Sequence, residues 1–408
     1  MKIGIITIGS ELLNGLRIDT NAHWIAKNAI LFGGEVISKT SILDKEEDIF
    51  IALDNFLKRN IEMIIITGGL GPTHDDITAK SLYKYFEDTP SLDISYWEKL
   101  KDRFIKKGYD VSNLNKSQAL IPTRGDIIPN SKGTARGLYF KSNNAKIVAM
   151  PGVPNEMKSM MRNSVFPMIQ KSSKISMNYK ILRTTGIYES QLFNILSEHI
   201  DKYSNVNVAF LPSYLGVDIR ISSTDKKSYS SLSETIQSKI GDYIFSEDNT
   251  PLEEVVAKTL IRNKITISTA ESCTGGLISD RLTNVPGVSS VYIGGLVAYS
   301  NIQKINLLEV KEKTLLDHGA VSEKTAIEMA VGARKRFDSD IGISTTGIAG
   351  PDGGSSEKPI GLVYIGFSSK TISKSYKFEF NHDRVTNKMI SSQVALNILR
   401  KNIAKLIK

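Results

Sequence analysis

The stretch MIIITGGLGPTHDDITAK (63–80) decides how the first part of the chain folds. Its opening apolar run has the length and composition of a strand buried on both faces of a parallel sheet. Three glycines follow directly, so Gly68, Gly69 and Gly71 fall at the carboxyl end of that strand, where open α/β sheets bind ligands. Glycines there let backbone N–H groups approach an anion closely, and a helix starting near Asp76 adds partial positive charge. Asp75 and Asp76 repel phosphate unless a divalent cation lies between, so the expected chemistry is a metal ion with phosphate groups. The plainer alternative is a glycine turn with Asp76 as a helix N-cap.

Working outward, KIGIITI (2–8), EVISKTSI (35–42) and AKIVAMPG (145–152) read as further strands, and TNAHWIAKNAILFG and EEDIFIALDNFLKRN carry apolar residues at helical spacing. This βαβ alternation predicts a parallel sheet with helices on both faces over residues 1–170. Residues 171–250 change character. KILRTTGI, VNVAFLP and GVDIRISS read as short strands with one helical stretch, ESQLFNILSEHIDKY, giving a small α+β module. FSEDNTPLEEVV is the linker candidate, with Pro251 at a helix start. A second α/β domain, 251–408, opens with the helix VVAKTLIRNK and the strand ITISTA. GVSSVYIGGLVAYS, DIGISTTGIAG and KPIGLVYIGFSS add strands, and QVALNILRKNIAKLI closes as an amphipathic helix.

At 408 residues the chain exceeds one ordinary core. With 41% hydrophobic and 23% charged residues, its composition is that of globular protein. No apolar run reaches the roughly 18 residues of a spanning helix, and the opening MKIGIITIGS reads as a strand rather than a signal peptide, so a cytoplasmic location without membrane partners is expected. One cysteine excludes an intramolecular disulfide and a Cys-cluster zinc site. The net charge of +9 is spread as lysines interleaved with acids, with no basic tract, which argues against a nucleic-acid partner.

A second chemical constellation lies in STAESCTGGLISDRL (268–282). A strand ends, a turn follows, and Ser272 lands near a helix N-terminus, where a nucleophile is exposed and the amides of Thr274, Gly275 and Gly276 can surround an oxyanion. The only histidines of this domain, His318 and His382, stand beside no orienting carboxylate motif. A lysine is the alternative base if burial leaves it neutral. Lys304 in AYSNIQK (298–304) follows an apolar strand and a Tyr-Ser turn and leads the candidates, although a surface lysine is the ordinary reading of any one Lys. Cys273 is the rival nucleophile, set against the usual role of a free cysteine as buried packing. The glycines of GIAGPDGG (347–354), namely Gly347, Gly350, Gly353 and Gly354, permit close contact with a ribose phosphate, and Arg384 is a candidate bidentate phosphate partner.

GSELLNG (9–15), DTNAHWIA (19–26), the TGGLGPTHDDIT block and MPGVPNEMKSM (150–160) resemble, in order, the signature segments of the CinA family. The resemblance implies an α/β fold in three parts: an N-terminal molybdopterin-binding-like α/β domain, the small α+β middle module, and a C-terminal α/β CinA-type domain. For the first it implies a metal-dependent ADP-ribose pyrophosphatase, cutting ADP-ribose to AMP and ribose 5-phosphate. By motif position Asp76 matches an aspartate shared with molybdopterin binders and Asp44 a second acidic position. Leu70, where those proteins carry Thr, and the extra charge of Asp75 favour a phosphoanhydride with metal over molybdopterin. Asp44, Asp75 and Asp76 are thus expected to hold the divalent metal, with Gly68, Gly69, Gly71 and Thr73 cradling phosphate. Glu11 is a further ligand or base candidate or else a surface acid, and His74 is equally a ligand or a solvent-facing ring.

ESCTGG, AYSNIQK, HGAVSE (318–323) and TGIAGPDGGSSEKPIG (346–361) resemble the domain shared by CinA C-termini and stand-alone nicotinamide mononucleotide deamidases. This implies hydrolysis of nicotinamide mononucleotide to nicotinate mononucleotide and ammonia in pyridine nucleotide salvage, without a metal, with Ser272 as nucleophile, Lys304 as base and Tyr299 as a supporting hydroxyl. It also implies a homodimer. The sequence departs from the family where NHDR replaces Gly-Asp-Arg at Arg384 and where Lys388 stands in place of a second Arg. Two other readings remain: a competence or DNA-damage accessory protein acting by binding, and a non-catalytic molybdopterin or nucleotide sensor in the N-terminal domain.

Overall fold

The computed structural model describes residues 1–106, 108, 113–142, 145–173 and 177–407. It divides into two compact units, Met1–Tyr179 and Lys180–Lys408.

In the first unit, strands β1 (Lys2–Ile8), β2 (Glu35–Ile42), β3 (Met63–Thr67), β6 (Asp126–Ile128), β7 (Gly137–Ser142) and β8 (Ala145–Met150) form one sheet in the order β2-β1-β3-β8-β7-β6; β4 (Ser91–Leu92) and β5 (Leu120–Ile121) pair separately. The first four strands are parallel, as the βαβ alternation requires, and β7 and β6 extend the sheet antiparallel. The two-residue period assigns side chains to faces. Ile6, Ile64 and Ile66 pack with Ile49, Leu53, Phe56 and Leu82 from helices Glu46–Lys58 and Thr78–Tyr85. Ile3, Ile5, Met63 and Ile65 pack on the other face with Ile25 of helix Thr20–Ala29 and Met157 and Phe166. Each isoleucine of β3 is fully buried, contributing about 2 kcal/mol relative to an exposed side chain. The β6–β7 extension was not expected: three residues of β6 carry too little pattern to be read as a strand.

The second unit opens with β9 (Asn178–Thr184), β10 (Asn207–Ser213), β11 (Gly216–Ser223) and β12 (Ile244–Ser246), ordered β10-β11-β9-β12, with helices Glu189–Ile200 and Lys226–Ile240. This is a βαββαβ arrangement in which β9 is central and pairs antiparallel with β12. The helix Lys226–Ile240 is an addition to the single helix expected here. Its serines hide it, yet Leu232, Ile236 and Ile240 recur every fourth residue and are all buried.

The remaining sheet comprises β13 (Ile267–Glu271), β14 (Tyr292–Val297), β15 (Ile341–Gly347), β16 (Leu362–Ser368) and β17 (Ser373–Glu379), ordered β14-β13-β15-β16-β17. β14, β13 and β15 are parallel, and β16 and β17 antiparallel. Helices Leu252–Asn263, Leu277–Thr283 and Arg384–Ile407 cover one face and Asn301–Leu308, Glu312–His318 and Glu323–Arg336 the other. The long last helix also reaches the βαββαβ module, where Arg400 donates to Ile244 O and Asp242 O and Gln393 to Leu215 O. No helix among the described residues is long and apolar enough to cross a membrane.

Candidate active site

β13 and β14 leave the sheet side by side, because Ala298 N–H donates to Glu271 O, while Ser272 N–H donates to Thr345 O and prolongs the pairing with β15. Ser272 therefore sits at the carboxyl edge of three parallel strands. After β14, Ser300 caps helix Asn301–Leu308 by accepting from Gln303 N–H, and one turn in, Lys304 points back to the strand ends. Lys304 is 1% exposed, and Nζ lies 3.0 Å from Ser272 Oγ, 2.9 Å from Ala298 O and 3.0 Å from Tyr299 O. Burial holds the Lys304 pKa below its ordinary value of 10.5. Among the described ion pairs none involves Lys304. Three oxygens surround Nζ: two carbonyls that can only accept, and the Ser272 hydroxyl, which accepts from Lys304 when the amine is charged and can donate to its lone pair when it is neutral.

The neighbours of this pair differ from expectation in two ways. The Gly275 N–H donates to Ser272 O and the Gly276 N–H to Glu271, so neither is free to hold an oxyanion; these bonds leave over the amides of Cys273 and of the fully buried Thr274. The cause is Glu271, which follows the expected strand ITISTA and to which sequence reasoning assigned no role. Its side chain is fully buried, and it accepts from Thr274 Oγ1, Gly276 N–H and Ile278 N–H on one oxygen and from Ser279 N–H and Oγ on the other. Thr274 Oγ1 also pairs with Thr345 Oγ1. The Tyr299 hydroxyl, in turn, bonds to neither Ser272 nor Lys304. It accepts from Arg384 at 2.7 Å on a ring that is 61% exposed, and only the Tyr299 carbonyl touches Lys304.

Arg384 donates its other arm to Gly350 O, tying the glycine loop to Tyr299, and Lys388, one turn further along the same helix, approaches Gly275. Gly347 closes β15 against Leu362 and Val363, whereas Gly353 and Gly354 lie in the exposed part of the loop. Cys273 packs into the core, and burial pushes its thiol up to about 12. His318 pairs with Lys324 and His382 packs edge-on to Tyr214, so neither serves Ser272.

The expected metal and phosphate site in the first unit is assembled differently. The helix after the glycine turn starts at Thr78, and Asp76 does not cap it: Asp76 Oδ2 accepts from Thr73 N–H and Oγ1, so Thr73's donors are spent inside the loop. Gly68 donates to Met150 O, and its left-handed φ of 116° brings it against Ile8 O, where a Cβ would lie 2.2 Å away; Gly69 packs on Thr78 and Gly71 on Asp76. Burial, then the charges of Glu11 and Asp75, raise the Asp44 carboxyl against the bond it accepts from Ser10 N–H. That mutual repulsion is what a cation would relieve. Yet among the described residues no three acidic, His or Cys side chains, His74 included, are grouped to hold an ion. The residues as arranged do not fit a preformed metal site, and no step is derived through one.

Three family profiles match the chain: "Probable molybdopterin binding domain" over residues 4–171, "Damage-inducible protein CinA KH domain" over 179–246 and "CinA C-terminal domain" over 249–403. A Clostridium perfringens protein named "Putative competence-damage inducible protein" is 41% identical over 413 residues, spanning 100% of both chains. A Caldicellulosiruptor bescii protein of the same name is 39% identical over 411 residues, 99% of each. Among solved structures, the competence/damage inducible protein CihA from Agrobacterium tumefaciens is 37% identical and covers 37% of this chain and 96% of its own, with a TM-score of 0.36. With relatives at this identity over its full span, the chain belongs to the CinA family.

Proposed function

We propose that the second unit hydrolyses the carboxamide of nicotinamide mononucleotide to nicotinate mononucleotide and ammonia. The observation that carries this reading is the buried Lys304 Nζ, 3.0 Å from Ser272 Oγ. Neutral Lys304 takes the Ser272 proton as Oγ attacks the carboxamide carbon. The amides of Cys273 and Thr274, which no bond of the turn engages, are the donors nearest in sequence for the developing oxyanion. Collapse of the tetrahedral adduct expels ammonia with the proton returned by Lys304; water, deprotonated by the same amine, then cleaves the acyl-serine. Arg384 and Lys388 supply positive charge for the substrate phosphate. The test is ammonia release from nicotinamide mononucleotide by wild type and Ser272→Ala.

A second reading, an ADP-ribose pyrophosphatase in the first unit, is favoured by one observation, the nearness of Asp44 to Glu11 and Asp75, whose charges add to burial in raising its carboxyl. A divalent cation would have to draw these carboxylates together on binding. Phosphate-ester release from ADP-ribose with added Mg²⁺ or Mn²⁺, in wild type against Asp44→Asn, tests it. The binding-only reading as a competence accessory predicts instead a salt-dependent shift of DNA and no hydrolysis.

A further inference from the structure

Five donors converge on the two oxygens of Glu271, a carboxylate with 0% exposure and no cation paired to it among the described residues. Such a group is costly to bury unless its bonds do something specific. They do three things here. The bonds from Gly276, Ile278 and Ser279 N–H consume amides at the start of helix Leu277–Thr283, so that helix end does not offer itself to an anionic part of the substrate. The bond from Thr274 Oγ1, which reaches on to Thr345 Oγ1, holds the turn to β15, the strand that also accepts from Ser272 N–H. And because Glu271 immediately precedes Ser272, the side chain that fixes the helix belongs to the strand end that carries the nucleophile.

We infer that Glu271 is the positioning residue of the nucleophile turn: its carboxylate locks Ser272 Oγ against Lys304 Nζ. The inference rests on the amidase reading for its substrate but not for its geometry. A carboxylate satisfies five donors, whereas an amide has one acceptor oxygen and sets N–H against the Ser279 N–H. Glu271→Gln therefore loosens the turn without emptying the space, and Thr274→Val removes the hydroxyl link to Glu271 and Thr345 at nearly constant volume.

The experiment compares wild type, Glu271→Gln and Thr274→Val in the full chain. It measures kcat and KM for nicotinamide mononucleotide, the pH midpoint of kcat, thermal unfolding, and the rate of covalent labelling of Ser272 by a fluorophosphonate. A displaced nucleophile lowers kcat by on the order of 10²-fold while KM and the pH midpoint hold, and it slows labelling in parallel. Wild-type kcat and labelling in folded Glu271→Gln would overturn the inference, as would a loss confined to KM. If Glu271→Gln fails to fold, Thr274→Val decides by the same readouts. Wild type that labels at Ser272 but releases no ammonia would sink the substrate reading alone, and the labelling comparison would still decide the role of Glu271.

Discussion

Lys304 has no carboxylate to hold it charged, and its position between two carbonyls and a hydroxyl makes it the residue on which the chemistry turns. Replacing it or Ser272 with Ala is expected to lower ammonia release by about 10³-fold or more. Cys273→Ala, by contrast, keeps activity near wild type, since its thiol is buried and pushed up to about 12; the cost is stability, about 1 kcal/mol by chemical denaturation. The pH dependence follows from the depressed Lys304 pKa. Only the neutral amine accepts a proton, so kcat rises with pH through a midpoint below 10.5 and is lost as pH falls. The sign for stability agrees: between the folded pKa and 10.5 the unfolded chain binds more protons, so stability rises with pH there, and the penalty of charging buried Lys304 is fully present below the folded pKa. A pH–rate profile with a midpoint at or above 10.5 would contradict this. Turns after apolar strands made Ser272 and Lys304 candidates in the sequence, and the family resemblance, rather than spacing, paired them. Glu271 was no candidate, because a carboxylate at the end of a strand pattern gives no sign that it folds back over the next helix.

At the scale of elements, the strands of both large sheets are readable where the apolar run is continuous, as in β3 and β15, and lost where it is short or polar, as in β6 and in β17 with its SKSYKFE sequence. Helix Glu323–Arg336 escaped notice because its buried face is small, with Ala326, Ala330, Gly332 and Ala333 in place of large apolar residues. Small residues let the helix lie close to the sheet. At Gly366 of β16 an added Cβ would meet Ala326 O at 2.1 Å and Ser344 Oγ at 2.5 Å, backbone on one side and a buried strand on the other. Gly366→Ala is therefore expected to cost about 2 kcal/mol by denaturant unfolding, with the helix pushed off the sheet. A neutral effect would mean that this helix tolerates a looser seat than the structure shows.

For the whole molecule, each unit carries hydrophobic clusters of its own, so two chemistries can reside on one chain without sharing residues. If both proposals hold, Asp44→Asn abolishes ADP-ribose hydrolysis and spares ammonia release, and Ser272→Ala does the reverse. The three-part organisation was visible in the change of pattern along the chain, and three family profiles match it in the same order. The glycine turn after β3 was not predictable in detail, since glycine spacing places a turn but does not say that Thr73 and Asp76 will bond to each other.

The most direct measurement is ammonia release from nicotinamide mononucleotide by the full chain and its Ser272→Ala, Lys304→Ala and Cys273→Ala variants, with and without chelator. The account predicts release that resists chelator, survives Cys273→Ala and disappears in the other two. Release that persists without Ser272 or Lys304, or none from wild type, would contradict it.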